Sequence, residues 1–495
     1  MIKAKSFGAS ATSGMLWMSV SVLFTKAMLF VMQIVLGFIL DARDYSIFAV
    51  VSVALTFVAG LQNAGASKML IQRQTQYQDL VKDYTDFAWY MGLIGAGVLV
   101  ILGLIFGQFY RNSELFYVIG LSALSVPVTS LISIQFARLS IDLRFRELCM
   151  IDFLVAMANV AVVVIAAFLG ARYYSIGLGL VASTLLRYLL NRRITPTLPA
   201  SFALPRSKFL LIFAQVKWLI ITAFLTGLAQ QGDYFVLGRA ISAESLGYYY
   251  FGFQITANVG QLLAQGVGST LFPIFTAMKD DLQALKRAFL RASSVIHFAC
   301  SALCIGVVGL APWLIHLVWR GKWDMATVTA VAIALTLPMR MLSPMGTVTL
   351  DSFGKWRLRT ALLVLDSSTM MAAALIGAHF GDLQGASIAV ALQRLGSGLV
   401  DFSFAVRTLG GRAGDIVLFA CRSFIPFWLA AGVLVFLHLT QPLSGTSVQV
   451  GLNSAIRTLA AIASFAAIAY AVDRQVMKEV SALLRRLLFP RQAAI

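Results

Sequence analysis

Met91-Gly-Leu-Ile-Gly-Ala-Gly-Val-Leu-Val-Ile-Leu-Gly-Leu-Ile-Phe106 carries no charged side chain, and Val160-Ala-Val-Val-Val-Ile-Ala-Ala-Phe-Leu-Gly170 reads the same way. Neither stretch alternates apolar with polar residues, as the strands of a membrane barrel do. In hydrocarbon every backbone N–H and C=O must find a partner within the segment, so continuous runs of this kind are helices. The rest of the chain agrees. Of its 495 residues 59% are hydrophobic and 12% charged. An ordinary soluble domain carries about 25% charged residues. This much apolar surface needs lipid as its solvent.

Spans of about 20 apolar residues are expected at Gly14–Leu40, Tyr45–Ala66, Tyr84–Tyr110, Leu115–Leu139, Met150–Gly170, Ser175–Leu190 and Phe209–Leu237. They continue at Leu246–Phe275, Val295–Leu317, Ala326–Leu350, Leu358–His379, Gly385–Val406, Ile416–Leu439 and Val450–Val472. The fold class is an all-α membrane protein of about 14 transmembrane helices. Gly14–Leu40 is too long for a signal-peptide core, and no small-residue cleavage site follows it.

Charge orients the bundle. With the N-terminus cytoplasmic, inside segments hold about 27 Lys/Arg and outside loops about 6, namely Arg43, Arg111, Arg172, Arg239, Arg320 and Lys322. One missed or invented mid-chain span would collapse this asymmetry, so it supports an even helix count with both termini in the cytoplasm of an inner membrane. It also accounts for most of the net charge of +18, through topology and attraction to anionic lipid heads. Nucleic acid is not an expected partner, because no basic segment goes with a folded soluble domain. Lys279–Ser294 and the tail Gln475–Leu488 read as amphipathic helices lying along the membrane surface.

No P-loop, nucleotide fingerprint or metal-ligand cluster is present, so no cofactor is expected. Cys300 and Cys304 share a helix face, but no His/Cys pair completes a metal site; like Cys149 and Cys421 they read as small thiols in apolar stretches. His297, His316, His379 and His438 are scattered and have no consistent acid or nucleophile partners, His379 with Asp382 reading as a solvated loop neighbourhood, and no enzyme activity is expected. Trp313, Trp319 and Trp323 at one helix end read as an interfacial belt.

The connection Ile39-Leu-Asp-Ala-Arg-Asp-Tyr-Ser-Ile-Phe48 is echoed six helices later by Ala240-Ile-Ser-Ala-Glu-Ser-Leu-Gly-Tyr-Tyr249. A repeat with an even number of helices inserts the same way up, and many transporters are built so. Tight hairpin turns favour such residues anyway, so the echo alone leaves both readings open. The domain division it suggests is 1–193, 194–409 and a C-terminal helix pair with tail, 410–495.

The stretch Gly14–Arg73 resembles the start of bacterial Wzx-type polysaccharide flippases, in the multidrug/oligosaccharidyl-lipid/polysaccharide exporter superfamily. The matching features are the hinge Leu40-Asp-Ala-Arg-Asp-Tyr-Ser46 and the turn Leu61-Gln-Asn-Ala-Gly-Ala66. Leu143-Arg-Phe-Arg146, Asp233-Tyr-Phe-Val-Leu-Gly-Arg239 with Leu246-Gly-Tyr248, Phe272-Pro-Ile-Phe275 and Trp319-Arg-Gly-Lys-Trp323 follow in the same order, to about Leu409. The departures are a missing Pro in the first hinge and Ser46 where Gly is usual. Within the family the resemblance runs toward exopolysaccharide exporters of the succinoglycan type. It implies two six-helix bundles across a central cavity, plus two further helices. The implied cargo is an oligosaccharide repeat unit on a polyprenyl diphosphate, moved by alternating access for exopolysaccharide or lipopolysaccharide biosynthesis. A polysaccharide polymerase and chain-length or export proteins are the implied partners.

Charges inside the spans are costly, at least about 2.5–3.5 kcal/mol each, and so tend to face a cavity or a partner. Lys26, Lys217, Arg340, Arg394, Arg422 and Arg457 are the cations; Asp366 and Asp401 are the acids, with Asp233 nearer an outer end. Pairing, for example of Arg394 with Asp366, would merely lock helices together. The surplus of cations instead suits a diphosphate, through charge-assisted hydrogen bonds. The candidate substrate-binding residues are Lys26, Arg340, Arg394, Lys217, Asp233, Asp366 and Asp401. A peptidoglycan-precursor flippase and a multidrug exporter of the same superfamily are the alternatives. Lys26 and the lack of an acid on the first helix argue against a cationic drug, and the cost of the buried charges argues against a passive scaffold.

Overall fold

The computed structural model describes residues 2–63, 65–195, 202–278, 280–440, 447–474 and 477–478. It is all helix; no strand occurs among the described residues. Eleven helices among the described residues are long and apolar enough to cross a membrane. The chain forms two compact units, Met1–Gly247 and Tyr248–Ile495. The expected tail helix Gln475–Leu488 lies almost wholly outside the described residues.

The first unit contains α1 (Ile2–Ile39), α2 (Ala42–Asn63), α3 (Ala66–Gln72), α4 (Tyr77–Phe109), α5 (Glu114–Ala123), α6 (Ser125–Ile141), α7 (Phe145–Ala166), α8 (Tyr174–Ile194) and α9 (Arg206–Ala240). Helix α10 (Ala243–Ala277) begins in the first unit and runs into the second. The second unit continues with α11 (Leu282–Trp319), α12 (Ala326–Arg340), α13 (Leu342–Ser352), α14 (Trp356–Thr408), α15 (Ala413–Thr440) and α16 (Ser447–Val472).

The echoed connections are both helix starts. Asp44 reaches back from the first turn of α2 to accept the Asp41 N–H at 3.2 Å. At the start of α10, Ser242 Oγ accepts the Ser245 N–H at 3.0 Å. Each satisfies a backbone donor that a helix N-terminus would leave open. Asp44 also holds Arg172, from the α7–α8 turn, at 3.0 Å.

The helix ends also run in parallel. α4, α6 and the turn after α7 end on left-handed residues, Arg111 (φ 53°), Leu143 (φ 55°) and Arg172 (φ 42°). The second unit does the same at Arg320 (φ 53°), Gly354 (φ 65°) and Asp382 (φ 46°). Four of these ends are closed by a bond from the next N–H to the carbonyl five residues back: Asn112 to Gly107, Arg144 to Leu139, Gly321 to His316 and Lys355 to Leu350, at 2.9–3.0 Å. That pattern reverses the chain sharply while satisfying the last carbonyls. At Gly381–Asp382 non-helical backbone angles break α14 into two limbs.

Lipid tails are as apolar as leucine, so close backbone approach and packing decide which helices pair. In the first unit α2 lies along α9. Gly60 admits the carbonyl of Ile220 and Gly227 admits Thr56, while Phe57 packs on Phe224 with ring centroids 5.3 Å apart. In the second unit α11 packs on α12, α15 and α16. His297 of α11 is fully buried there, its ring nitrogens 3.3 Å from the Pro338 carbonyl and 3.0 Å from the Ser423 carbonyl. Cys300 and Cys304 are buried in the same core with sulfurs 3.8 Å apart.

One expectation is corrected. Lys279–Ser294 is not a separate surface helix. From Leu282 it is the opening of the 38-residue α11. Its apolar side, Leu285 and Phe289, is buried against Leu342, Met345 and Phe402 rather than turned to lipid. Amphipathic periodicity reports that a face is covered and not what covers it.

Candidate functional site

The first unit encloses a cavity of about 750 Å³. Polar side chains line it at helical spacing. α2 contributes Ser52 and Thr56, α6 contributes Ser125, Thr129 and Ser133, and α8 contributes Ser183, Arg187 and Asn191; Gln231 of α9 joins them. Residues four apart share one helix face, so three apolar helices each turn a polar stripe inward.

Thr56 donates across to Gln231 Oε1 at 3.0 Å, but five other hydroxyls are polarised alike. Ser52 donates to Ala49 O at 2.7 Å, Ser125 to Ser122 O at 2.7 Å and Thr129 to Ser125 O at 2.9 Å. Ser133 donates to Ser130 O at 2.7 Å and Ser183 to Leu180 O at 3.1 Å. A hydroxyl has one proton to give and two lone pairs. With the proton spent on its own helix, each oxygen offers the cavity an acceptor. Asn191 Oδ1 is a buried acceptor with no partner among the described residues. Such a wall suits a ligand rich in O–H donors.

Arg187 is the cation of this wall; among the described residues no carboxylate lines it. Its guanidinium is fixed from behind by Asp152 of α7, at 2.6 Å. Asp152 is in turn approached by Ser21 of α1, at 3.3 Å. Both charged side chains keep about a third of their surface exposed, 32% and 34%; Arg187 lines the cavity and Asp152 does not.

The site residues expected from sequence in this unit lie elsewhere. Lys26 is half-buried on α1. Lys217 is exposed, with its ammonium 5.9 Å from the Trp218 ring. Asp233 is fully buried on α9 and accepts the Tyr234 N–H at 3.1 Å. None of the three is among the residues lining the cavity.

In the second unit, four of the expected residues belong to α12 and α14. Arg340 grips Asp366 through two bonds, at 2.9 and 3.3 Å, and also donates to Ser397. Gln393 donates to the same carboxylate at 2.9 Å. Asp401 accepts from Ser343. Arg394 is buried, its guanidinium 4.6 Å over the Phe253 ring. The pairing proposed from sequence is therefore corrected: the bidentate partner of Asp366 is Arg340, not Arg394. Sequence spacing could not tell them apart, because Arg340 on α12 and Arg394 beyond the break in α14 both lie on other helical segments than Asp366.

This pair is buried, with 16% and 9% of the side chains exposed. Removing one partner strands the other charge. Asp366→Asn is expected to cost about 3–5 kcal/mol, most of which Arg340→Gln should restore in the double variant. Thermal melts of the purified protein in a double-mutant cycle check this; additive losses would mean that the two side chains do not interact.

Sequence reading missed the cavity. Charges in the middle of the spans define the expected site, and Arg187, near the inner end of Ser175–Leu190, counts with the inside cations. The recoverable signal was the four-residue spacing of polar residues in and just beyond otherwise apolar spans: Ser125, Thr129 and Ser133, then Ser183, Arg187 and Asn191.

Comparison with known proteins adds to this geometry. The profile of a family described as polysaccharide biosynthesis protein matches residues 35–328. An uncharacterized membrane protein in the cps region of Klebsiella pneumoniae is 20% identical over 417 residues, 83% of this chain and 85% of the relative. The lipopolysaccharide biosynthesis protein WzxC of Escherichia coli (strain K12) is 22% identical over 322 residues, 63% and 64% of the two chains. Among solved structures, the lipid II flippase MurJ in an inward closed conformation aligns with TM-score 0.68 at 14% identity, covering 92% of this chain and 99% of that one. An inward-facing multidrug resistance MATE family transporter of the MOP superfamily aligns with TM-score 0.64 at 12% identity, over 79% and 98%. At such identities the structural likeness concerns the fold alone.

Proposed function

The chain belongs to the polysaccharide biosynthesis protein family, and from that membership we propose that it is a flippase for a lipid-linked oligosaccharide. Its cargo is a repeat unit on polyprenyl diphosphate, carried across the inner membrane by alternating access for exopolysaccharide or lipopolysaccharide assembly. The observation that carries this reading is the acceptor-rich cavity of the first unit. Sugar hydroxyls are donors, and the wall offers them oxygen lone pairs. A cationic drug would want carboxylates there, and among the described residues none lines it.

The diphosphate needs cations. In the first unit Lys26 and Arg187 can supply them; in the second, Arg340 and Arg394 can. Lys217 is assigned a place at the lipid-facing approach, and Asp233, Asp366 and Asp401 the task of holding their helices and the neighbouring cations in position.

We also infer fourteen crossings, with α8, α10 and the second limb of α14 joining the eleven apolar helices, and both termini in the cytoplasm. The segments 1–193 and 194–409 are assigned as repeats, with 410–495 appended. The matching helix starts at Asp41 and Ser242 support this. So do the three left-handed turns, each about 210 residues from its counterpart.

Deletion of the gene tests the function directly. The expected result is loss of surface polymer and accumulation of one lipid-linked saccharide in the inner leaflet. Normal polymer with no accumulation would exclude the proposal, and raised uptake of cationic dyes instead would favour a drug exporter.

A further inference from the structure

At one end of the second unit, α11, α15 and the residue that follows α16 enclose a cleft of about 520 Å³, separate from the charge cluster around Arg340. Arg287 and Arg291 enter it from one face of α11, and Arg422 enters from the third turn of α15. The carboxylates there are Asp415 and Asp473. Asp415 is already engaged by Lys286 at 3.1 Å and by the Arg412 N–H at 2.9 Å. Counting Lys286, four cations meet two acids among the described residues.

A further feature marks the cleft as a binding site. Ser423 lines it and is 1% exposed, yet its hydroxyl has no hydrogen-bond partner among the described residues. A buried hydroxyl normally has a partner, so this one is left for a ligand. The surroundings are those of a lipid and not of a free ion. Leu418 lines the cleft and is 50% exposed, and Ile425 and Leu429 continue the same side of α15 at 49% and 53%.

We propose that this cleft binds the phosphodiester head of an anionic membrane phospholipid. The arginines and Ser423 hold the phosphate oxygens, and the acyl chains run along Leu418, Ile425 and Leu429. Arginine suits the task because its fork meets two phosphate oxygens at once. This ligand is distinct from the transported saccharide, so the site can be tested whether or not the transport assignment holds.

The test uses the purified full chain in a neutral detergent, titrated with phosphatidylglycerol, phosphatidylcholine or soluble glycerol 3-phosphate while its melting temperature is followed. Phosphatidylglycerol should raise the melting temperature and the other two should not. Arg287→Gln with Arg422→Gln should weaken that response roughly tenfold or more, and the Lys–Lys variant should retain most of it. Both arginines are exposed, so the unliganded fold should survive. If it does not, Ser423→Ala provides a milder variant, expected to weaken binding by about threefold. Equal responses to the two phospholipids, an unchanged preference in the Gln–Gln variant, or equal binding of glycerol 3-phosphate would each overturn the proposal.

Discussion

Arg187→Gln is expected to lower polymer export sharply while the protein remains at its normal level in the membrane. Arg187 is the cation on a wall that otherwise offers acceptor oxygens. A charge-assisted contact to phosphate contributes about 1.5–3 kcal/mol, so its loss should lower transport on the order of tenfold to a hundredfold. Arg187→Lys should restore part of the activity, because it returns the charge but not the planar fork. Asp152→Asn separates structure from binding. It removes the brace behind the guanidinium and leaves the cation in the cavity. Export measured against immunoblotted protein level, together with accumulation of the lipid-linked precursor, reads all three variants. Normal export by Arg187→Gln would remove this residue from the site. A fall in protein level matching the fall in export would make it a structural residue only.

Gly398→Val should strongly destabilise the second unit. A Cβ at Gly398 would lie 2.3 Å from the Met339 carbonyl oxygen and 3.1 Å from the Arg340 Cα. Both are backbone atoms and cannot swing aside. On the facing helix a Cβ at Gly346 would come within 2.7 Å of the Asp401 carbonyl oxygen. These two glycines let α14 approach α12 and α13 closely enough for Arg340 to reach Asp366. A β-branched side chain at 398 should cost about 3 kcal/mol by overpacking alone, and more if the ion pair is pulled apart. Gly396→Ala, two residues away, meets nothing within 4 Å and should be neutral or slightly stabilising. Melting temperatures of the two purified variants compare directly. Similar melting of Gly398→Val and the natural protein would mean that the helices have room to separate.

The sequence was legible where one residue type has one use. Apolar runs located the helices, because nothing but a helix satisfies their backbone in lipid. The echo at Ile39–Phe48 and Ala240–Tyr249 located two helix starts, because capping requires a side-chain acceptor at a fixed offset. The buried charges drew attention to α12 and α14, where Arg340, Asp366 and Asp401 do meet polar partners. Two things were not legible. Which arginine takes Asp366 depends on helix packing, which spacing along one helix does not contain. The cavity of the first unit is built from serine and threonine. Those residues occur on packed and open faces alike, since their protons are satisfied by their own backbone in either case. The opening of α11 misled for a similar reason: an amphipathic face fits a protein neighbour as well as a lipid surface.

The pairing of α2 with α9 sets a schedule for synthesis. α2 is complete at Asn63, but the helix that fills its Gly60 and Thr56 contacts starts only at Arg206. A ribosome adds about 5–20 residues each second, so that face of α2 waits on the order of ten seconds for its partner. Throughout that interval it must be covered by lipid or by the insertion machinery. Biogenesis of the first unit should therefore respond to the pace of translation between residues 63 and 240 more than to its pace afterwards.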